Sequence, residues 1–287
     1  MKRITALVFA VAFVCQGAAA FAQVALLDSA STREFFARHY PECSVSSPFL
    51  GAEEYQRYFR GWEFVLKEMN VPYTLITDAD LTAERLDDFT VLILSNIASL
   101  DEKQTRAIHH WTIAGGHLLA TFGTSYKGVI EDPREADLLR AQKGDTFGLH
   151  QLWHDPMSKL FGSEAVFGTV DIQVSRVEGP TAGVPGGFLG YGALSNLLIH
   201  RPPQAQDVLA WVRVGTTITD YPAIISTRSG RGHTVYYSFA PEYIVSKEFE
   251  GTALMPDLPV CPDGQDWSGR STQLRQLMRN TISFLLN

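Results

Sequence analysis

Four acidic residues in this chain of 287 residues stand just after apolar runs: Asp28 closes Val24-Ala25-Leu26-Leu27, Asp78 and Asp80 follow Pro72 to Thr77, and Glu242 follows the run ending at Phe239. Ser29, Ser95, Asn96, Thr124, Ser125 and Tyr243 occupy similar places. In an open parallel sheet such positions gather beyond the carboxyl ends of the strands, where ligands bind. Two facing carboxylates there can run general acid/base or glycosidic chemistry. They can equally accept hydrogen bonds from sugar hydroxyls without reacting, and a third reading has Asp28 and Asp78 capping the helices or turns that follow them. The candidate ligand-binding set is therefore Asp28, Asp78, Asn96, Thr124, Ser125, Glu242 and Tyr243, with no residue assigned a catalytic role.

Other patterns carry less chemistry. Ser125 lies in Gly123-Thr124-Ser125-Tyr126-Lys127-Gly128, whose closing glycine is one residue late for a Gly-x-Ser-x-Gly elbow, so a polar turn is favoured over a nucleophile. His150 and His154 share a helical spacing that suits a metal, but Gln151 replaces the base of His-Glu-x-x-His and only Asp155 is near, so no metal site is expected. The adjacent His109 and His110 point in different directions on a helix. Gly186 to Gly192 lacks the order of a phosphate-binding loop, and no cofactor is expected; Phe188 and Tyr191 on that loop offer rings for stacking on a sugar.

The elements that position these residues are legible from periodicity. Val24 to Leu27, Pro72 to Thr77, Val91 to Leu94 and His117 to Phe122 read as strands. Glu53 to Met69 repeats Tyr55, Tyr58, Phe59, Trp62, Val65 and Leu66 at helical spacing, which predicts a core-facing helix. Leu81 to Phe89 is a short helix with Thr82 as N-cap, and Asp101 opens another that Gly115-Gly116 ends. Residues 31 to 52 read as irregular, 123 to 147 as a long excursion and Leu149 to Phe161 as a helix. Strand-like runs follow at 166–174, 194–200, 208–214, 223–227 and 234–239, with Gly179 to Gly192 a loop, Ser229 to Gly232 a hairpin turn and Thr272 to Leu286 a final helix. Alternating strands and helices predict an α/β fold: a parallel sheet with helices on both faces and an elaborated β-rich second half.

Composition sets the outer bounds. With 45% hydrophobic and 19% charged residues the chain is that of a globular protein, and a net charge of −7 argues against nucleic acid as partner. Lys2 and Arg3, the apolar run Ile4 to Val14 and Ala20-Phe21-Ala22 form an export signal, so residues 1–22 are expected to be removed and 23–287 to form one domain, periplasmic or secreted. The run is shorter than the roughly 20 residues a bilayer span needs, so no membrane partner is expected after cleavage; an uncleaved anchor is the alternative. Cys43 and Cys261 then remain, an even count that favours a disulfide in an oxidising compartment over two free thiols. Such a long loop is worth roughly 5 kcal/mol in the chain-entropy picture.

Three segments carry a family resemblance: Asn96-Ile97-Ala98-Ser99-Leu100, then Asp101-Glu102-Lys103-Gln104, then Ala114-Gly115-Gly116-His117-Leu118-Leu119-Ala120-Thr121. Leu152 to Gly162 and the closing stretch Pro222 to Phe239 add to it. Together they resemble class I glutamine amidotransferase-like domains, and within them the non-catalytic β-galactosidase trimerisation domain. The resemblance implies a flavodoxin-like/amidotransferase-like sheet and a carbohydrate-metabolism module that binds or oligomerises, with a glycan, a glycoside hydrolase or a second copy as partner. Catalytic members place a cysteine at the sharp turn after the Gly-Gly-x-Leu strand; here that stretch is Ala120 to Ser125, without cysteine. A hydrolase using strand-end carboxylates and a protein scaffold without small ligand are the alternatives.

Overall fold

A computed structural model describes residues 24–39, 52–124, 127–128, 169–191, 207–258, 260 and 264–287. In chain order these form β1 (Val24–Leu27), α1 (Ala30–His39), α2 (Ala52–Glu68), β2 (Tyr73–Ile76), α3 (Ala83–Leu86), β3 (Val91–Ser95), β4 (Ser99–Leu100), α4 (Glu102–Ala114), β5 (His117–Thr121), β6 (Lys127–Gly128), β7 (Thr169–Val174), β8 (Gly187–Tyr191), β9 (Val208–Val214), β10 (Thr217–Ser229), β11 (Gly232–Tyr237), α5 (Pro241–Phe249) and α6 (Thr272–Leu286). Nine strands form one mixed sheet in the order β2-β1-β3-β5-β11-β10-β9-β7-β8. The first five run parallel, and β11 turns the sheet antiparallel through its hairpin with β10. β4 and β6 pair separately.

β1 and β3 are buried along their whole length, which explains their unbroken apolar sequence: helices cover both faces of the parallel half. On one face α2, α5 and α6 pack together, with α1 against α2. On the other, α3 packs on α4, where the right-handed crossovers from β2 to β3 to β5 place them. Thr82 accepts the Arg85 N–H as the cap of α3. Asp101 and Gln104 close a reciprocal capping box on α4, at 2.7 and 2.9 Å. Gly115, at φ 127°, ends that helix, and a Cβ on Gly116 would lie 2.1 Å from the Trp111 ring. The two glycines thus do separate jobs: one reverses the chain and the other clears an indole.

Two segments differ from the sequence reading. Residues 31 to 52, read as irregular, begin with α1. Its N-terminus is held by Ser29 Oγ, which accepts the Thr32 N–H at 3.0 Å, and by Asp78 Oδ2, which accepts the Ser31 N–H at 2.9 Å from 47 residues away. Half of that cap is invisible to a local window. The loop expected at Gly179 to Gly192 contains β8, paired antiparallel with β7. Its Gly190 is a packing glycine, since a Cβ there would sit 3.0 Å from the Phe239 ring. The expected helix at Leu149 to Phe161, the strand at 194–200, most of the 123–147 excursion, and His150, His154, Ser125, Cys43 and Cys261 lie outside the described residues. No helix among the described residues is long and apolar enough to cross a membrane.

Candidate functional site

The carboxyl ends of β3, β5 and β11 meet around one fully buried acid. Glu242 is the second residue of α5, directly after Pro241, and is 0% exposed. Its Oε1 accepts hydrogen bonds from Ser95 Oγ at 2.8 Å and Thr121 Oγ1 at 2.5 Å, the hydroxyls that end the otherwise apolar β3 and β5. Oε2 has no partner. The Trp62 indole N–H is near enough to draw the carboxyl downward, yet among the described residues neither Trp62 Nε1 nor Oε2 completes a hydrogen bond. Burial dominates: it pushes the Glu242 carboxyl up to about 7, against the opposing pull of the Thr121 hydroxyl, the Glu242 amide, the Ser95 hydroxyl and the Trp62 N–H.

Helix α2 closes over this acid because Gly61 lets it. A Cβ at Gly61 would stand 2.3 Å from the Glu242 carbonyl oxygen. A glycine inside a helix is less favourable than alanine by about 1 kcal/mol; here the close approach of α5 explains it. One turn along α5, Lys247 Nζ bonds Glu250 Oε1 at 2.9 Å and Arg57 pairs with the same carboxylate, both cations being buried.

The other residues expected at the strand ends separate into two groups. Asn96 and Thr124 join Glu242 through Thr121. The Asn96 N–H donates to Thr121 Oγ1 at 3.1 Å, and Asn96 Oδ1 accepts from the Gly123 N–H at 3.2 Å. Thr124 Oγ1 donates to main-chain oxygens of Leu94 and Thr121 and accepts the Ile97 N–H at 3.2 Å. These contacts lock two turns in the left-handed region, Asn96 at φ 49° and Phe122 at φ 50°. Phe122 is buried and stacks on Tyr58 at 6.4 Å. Tyr243 is buried in an aromatic cluster, stacked on Tyr191 at 4.4 Å and tilted against Tyr58 at 5.5 Å. Its ring therefore packs the core, as does that of Tyr191, which the sequence placed on an exposed loop. Phe188 is likewise buried, against Phe239.

Asp28 and Asp78 form the second group, around α1. Asp28 pairs with Arg33, so Ser29 and not Asp28 is the helix cap. Asp78 caps α1 through Oδ2, while its Oδ1 is buried without a hydrogen-bond partner among the described residues. Asp78 also lines an open groove of about 620 Å³ between the turn after β2 and the start of α4, with Thr82, Glu84, Asp101, Lys103 and Gln104. Among the described residues no group of three His, Cys, Asp or Glu side chains is arranged to hold a metal.

Neither protein-family models nor curated proteins match the chain. Solved structures do. The β-galactosidase from Bacillus circulans sp. alkalophilus aligns at 14% identity over 76% of this chain and 28% of that chain, with a TM-score of 0.52. A ThuA-like protein from Bacteroides uniformis ATCC 8492 aligns at 12% identity over 95% of both chains, with a TM-score of 0.51. The cold-adapted β-galactosidase from Rahnella sp. R3 aligns at 13% identity over 83% of this chain and 32% of that one, at 0.50. The α/β fold is shared. This chain spans about a third or less of those β-galactosidases, and at such identities the likeness shows architecture alone.

Sequence reasoning placed Ser95, Asn96, Thr124 and Glu242 near one another but missed Thr121, Gly61 and Trp62. Thr121 had a signal: a hydroxyl ending an apolar strand, as Ser95 does one strand away. Trp62 had none, because its ring repeats at core spacing and only its N–H faces the acid. The groove residues Glu84, on α3, and Lys103 and Gln104, on α4, are brought together by a helix packing that no local pattern announces.

Proposed function

We propose that this chain is an exported amidotransferase-like module that serves carbohydrate metabolism by binding or by assembly and carries out no reaction of its own. The observation that carries the reading is the turn after β5. The resemblance puts the nucleophilic cysteine of catalytic members there; this chain has Phe122, buried against Tyr58 in a left-handed turn. The nearby acid, Glu242, is sealed under α2 and held by two hydroxyls. The carbohydrate association draws support from the sequence motifs of the trimerisation type and from the likeness to part of two β-galactosidases. Export, with cleavage before Gln23 and a Cys43–Cys261 bond, belongs to the same proposal. Intact mass of the exported protein, with and without reduction, tests that part.

The functional test combines turnover and assembly. The purified protein is incubated with glutamine and with chromogenic galactosides, and its mass in solution is followed by sedimentation velocity. No turnover, together with either self-association or a saturable sugar response, is expected. Turnover that disappears in Glu242→Gln would place the chain among enzymes and sink the reading.

A further inference from the structure

We infer that one face of the antiparallel half of the sheet, across β8-β7-β9-β10, docks a second copy of this chain about a two-fold axis; this rests on the assembly half of the proposed function and gives it a surface. The register of the four strands lays a single row of side chains across that face. Leu189 on β8 stands opposite Asp171 on β7, Asp171 opposite Arg213 on β9, and Arg213 opposite Ile218 on β10. Residues directly opposite one another in antiparallel strands point to the same face. Their neighbours Phe188, Ile172 and Val212 are buried on the other face, so this row looks outward. Leu189 is 42% and Ile218 55% exposed, and between them the partly exposed Asp171 and Arg213 bring their charges 3.4 Å apart. Two residues along each strand, a half-buried Trp211 lies between Gln173 and Pro222, with Gly187 beyond Gln173.

The row therefore reads apolar, acidic, basic, apolar. Reversed and laid on itself, it sets each charge against its opposite and each aliphatic side chain against another. A two-fold axis parallel to the strands, lying in the plane between the copies and midway between β7 and β9, performs that reversal, as an isologous interface requires. It carries β8 over the second copy's β10 and β7 over its β9. Asp171 then meets the second copy's Arg213, and Leu189 meets its Ile218. In the next row Gln173 meets the second copy's Trp211, and Gly187 leaves room for its Pro222. An axis running across the strands would instead set Asp171 on Asp171 and Arg213 on Arg213, and like charges brought together oppose that orientation. The surviving arrangement is an aligned stack of two sheets about 10 Å apart, the geometry of a β-sandwich. Burial of Leu189, Ile218 and the Trp211 ring supplies the attraction, and the charges set the register.

The test is sedimentation velocity of the full chain across the micromolar range. The wild type is expected to dimerise. Asp171→Arg and Arg213→Asp each set like charges face to face and are expected to be monomeric. An equal mixture of the two variants makes every facing pair opposite in charge, so the mixture is expected to recover the dimer, which misfolded chains could not do. Leu189→Ser is expected to weaken dimerisation at least tenfold, while Leu75→Ser, an exposed leucine on β2 at the far edge of the sheet, leaves it unchanged. A dimer that persists in both charge variants overturns this face and leaves the assembly reading standing. Charge variants that stay monomeric when mixed overturn the facing of Asp171 and Arg213, and a wild-type trimer overturns the two-fold. A wild type that is monomeric at every concentration overturns the inference altogether, and the sugar response then decides the proposed function by itself.

Discussion

Replacing Glu242 by glutamine isolates the energetic consequence of burying one carboxyl. In the folded protein its proton is held to about 7, against 4.5 for the unperturbed group. The rise is roughly 2.5 units, and at 1.36 kcal/mol per unit it corresponds to roughly 3 kcal/mol of stability linked to the proton. The sign follows from proton counts. Between pH 4.5 and 7 the folded state binds more protons than the unfolded, so this contribution is complete below 4.5 and is lost as pH rises through about 7. Glutamine mimics the protonated acid: its oxygen can accept the Ser95 and Thr121 hydroxyls, and its amide takes the place of Oε2. Urea unfolding of the wild type and Glu242→Gln at matched pH should give near-equal stabilities at pH 5, and a variant more stable by about 3 kcal/mol at pH 8.5. Every other titrating group is common to both proteins and cancels in the difference. Parallel stability curves from pH 5 to 8.5 would refute the argument, since they would mean that the carboxyl ionises without penalty.

The remaining expectations are read by the same unfolding experiments. Gly61→Ala should gain about 1 kcal/mol of helix propensity yet lose more to its clash with the Glu242 carbonyl, for a net loss of about 1–3 kcal/mol; a neutral or stabilising result contradicts the close approach of α2 and α5. Phe122→Ala should lose about 3 kcal/mol or more, since it empties the space against Tyr58 while keeping a left-handed non-glycine residue. His117 and His233 are both held below the usual histidine range, mainly by burial, with the His233 ring adding to it at His117 and Arg228 adding to it at His233. The unfolded chain therefore binds more protons near pH 6, and Glu242→Gln should lose stability as pH falls below 6.5. Adding His117→Gln should flatten that slope, because glutamine can still accept the His233 N–H now taken by His117 Nδ1 at 3.0 Å.

Much of the architecture is written locally. Unbroken apolar runs made β1, β3 and β5 buried strands, and an acid followed three residues later by glutamine set the start of α4. Gly115-Gly116 set its end. These signals work because backbone conformation, capping and burial on both faces act over a few residues. What only the tertiary structure decided is where polar groups find partners. Asp78 looked like the cap of its own turn and instead caps α1, because parallel pairing of β1 with β2 brings Ile76 beside Leu27. Glu242 looked like an open strand-end carboxylate; the glycine at 61 let α2 descend on it, and the hydroxyls of Ser95 and Thr121 came to it from strands about 147 and 121 residues away in sequence. Tyr243 and Tyr191 read as ligand-facing rings and became each other's packing surface. Desolvation and long-range hydrogen bonding depend on everything that surrounds a group. A side chain's type and its neighbours in the chain limit its chemistry, and the assembled fold decides whether that chemistry meets water, a ligand or the core.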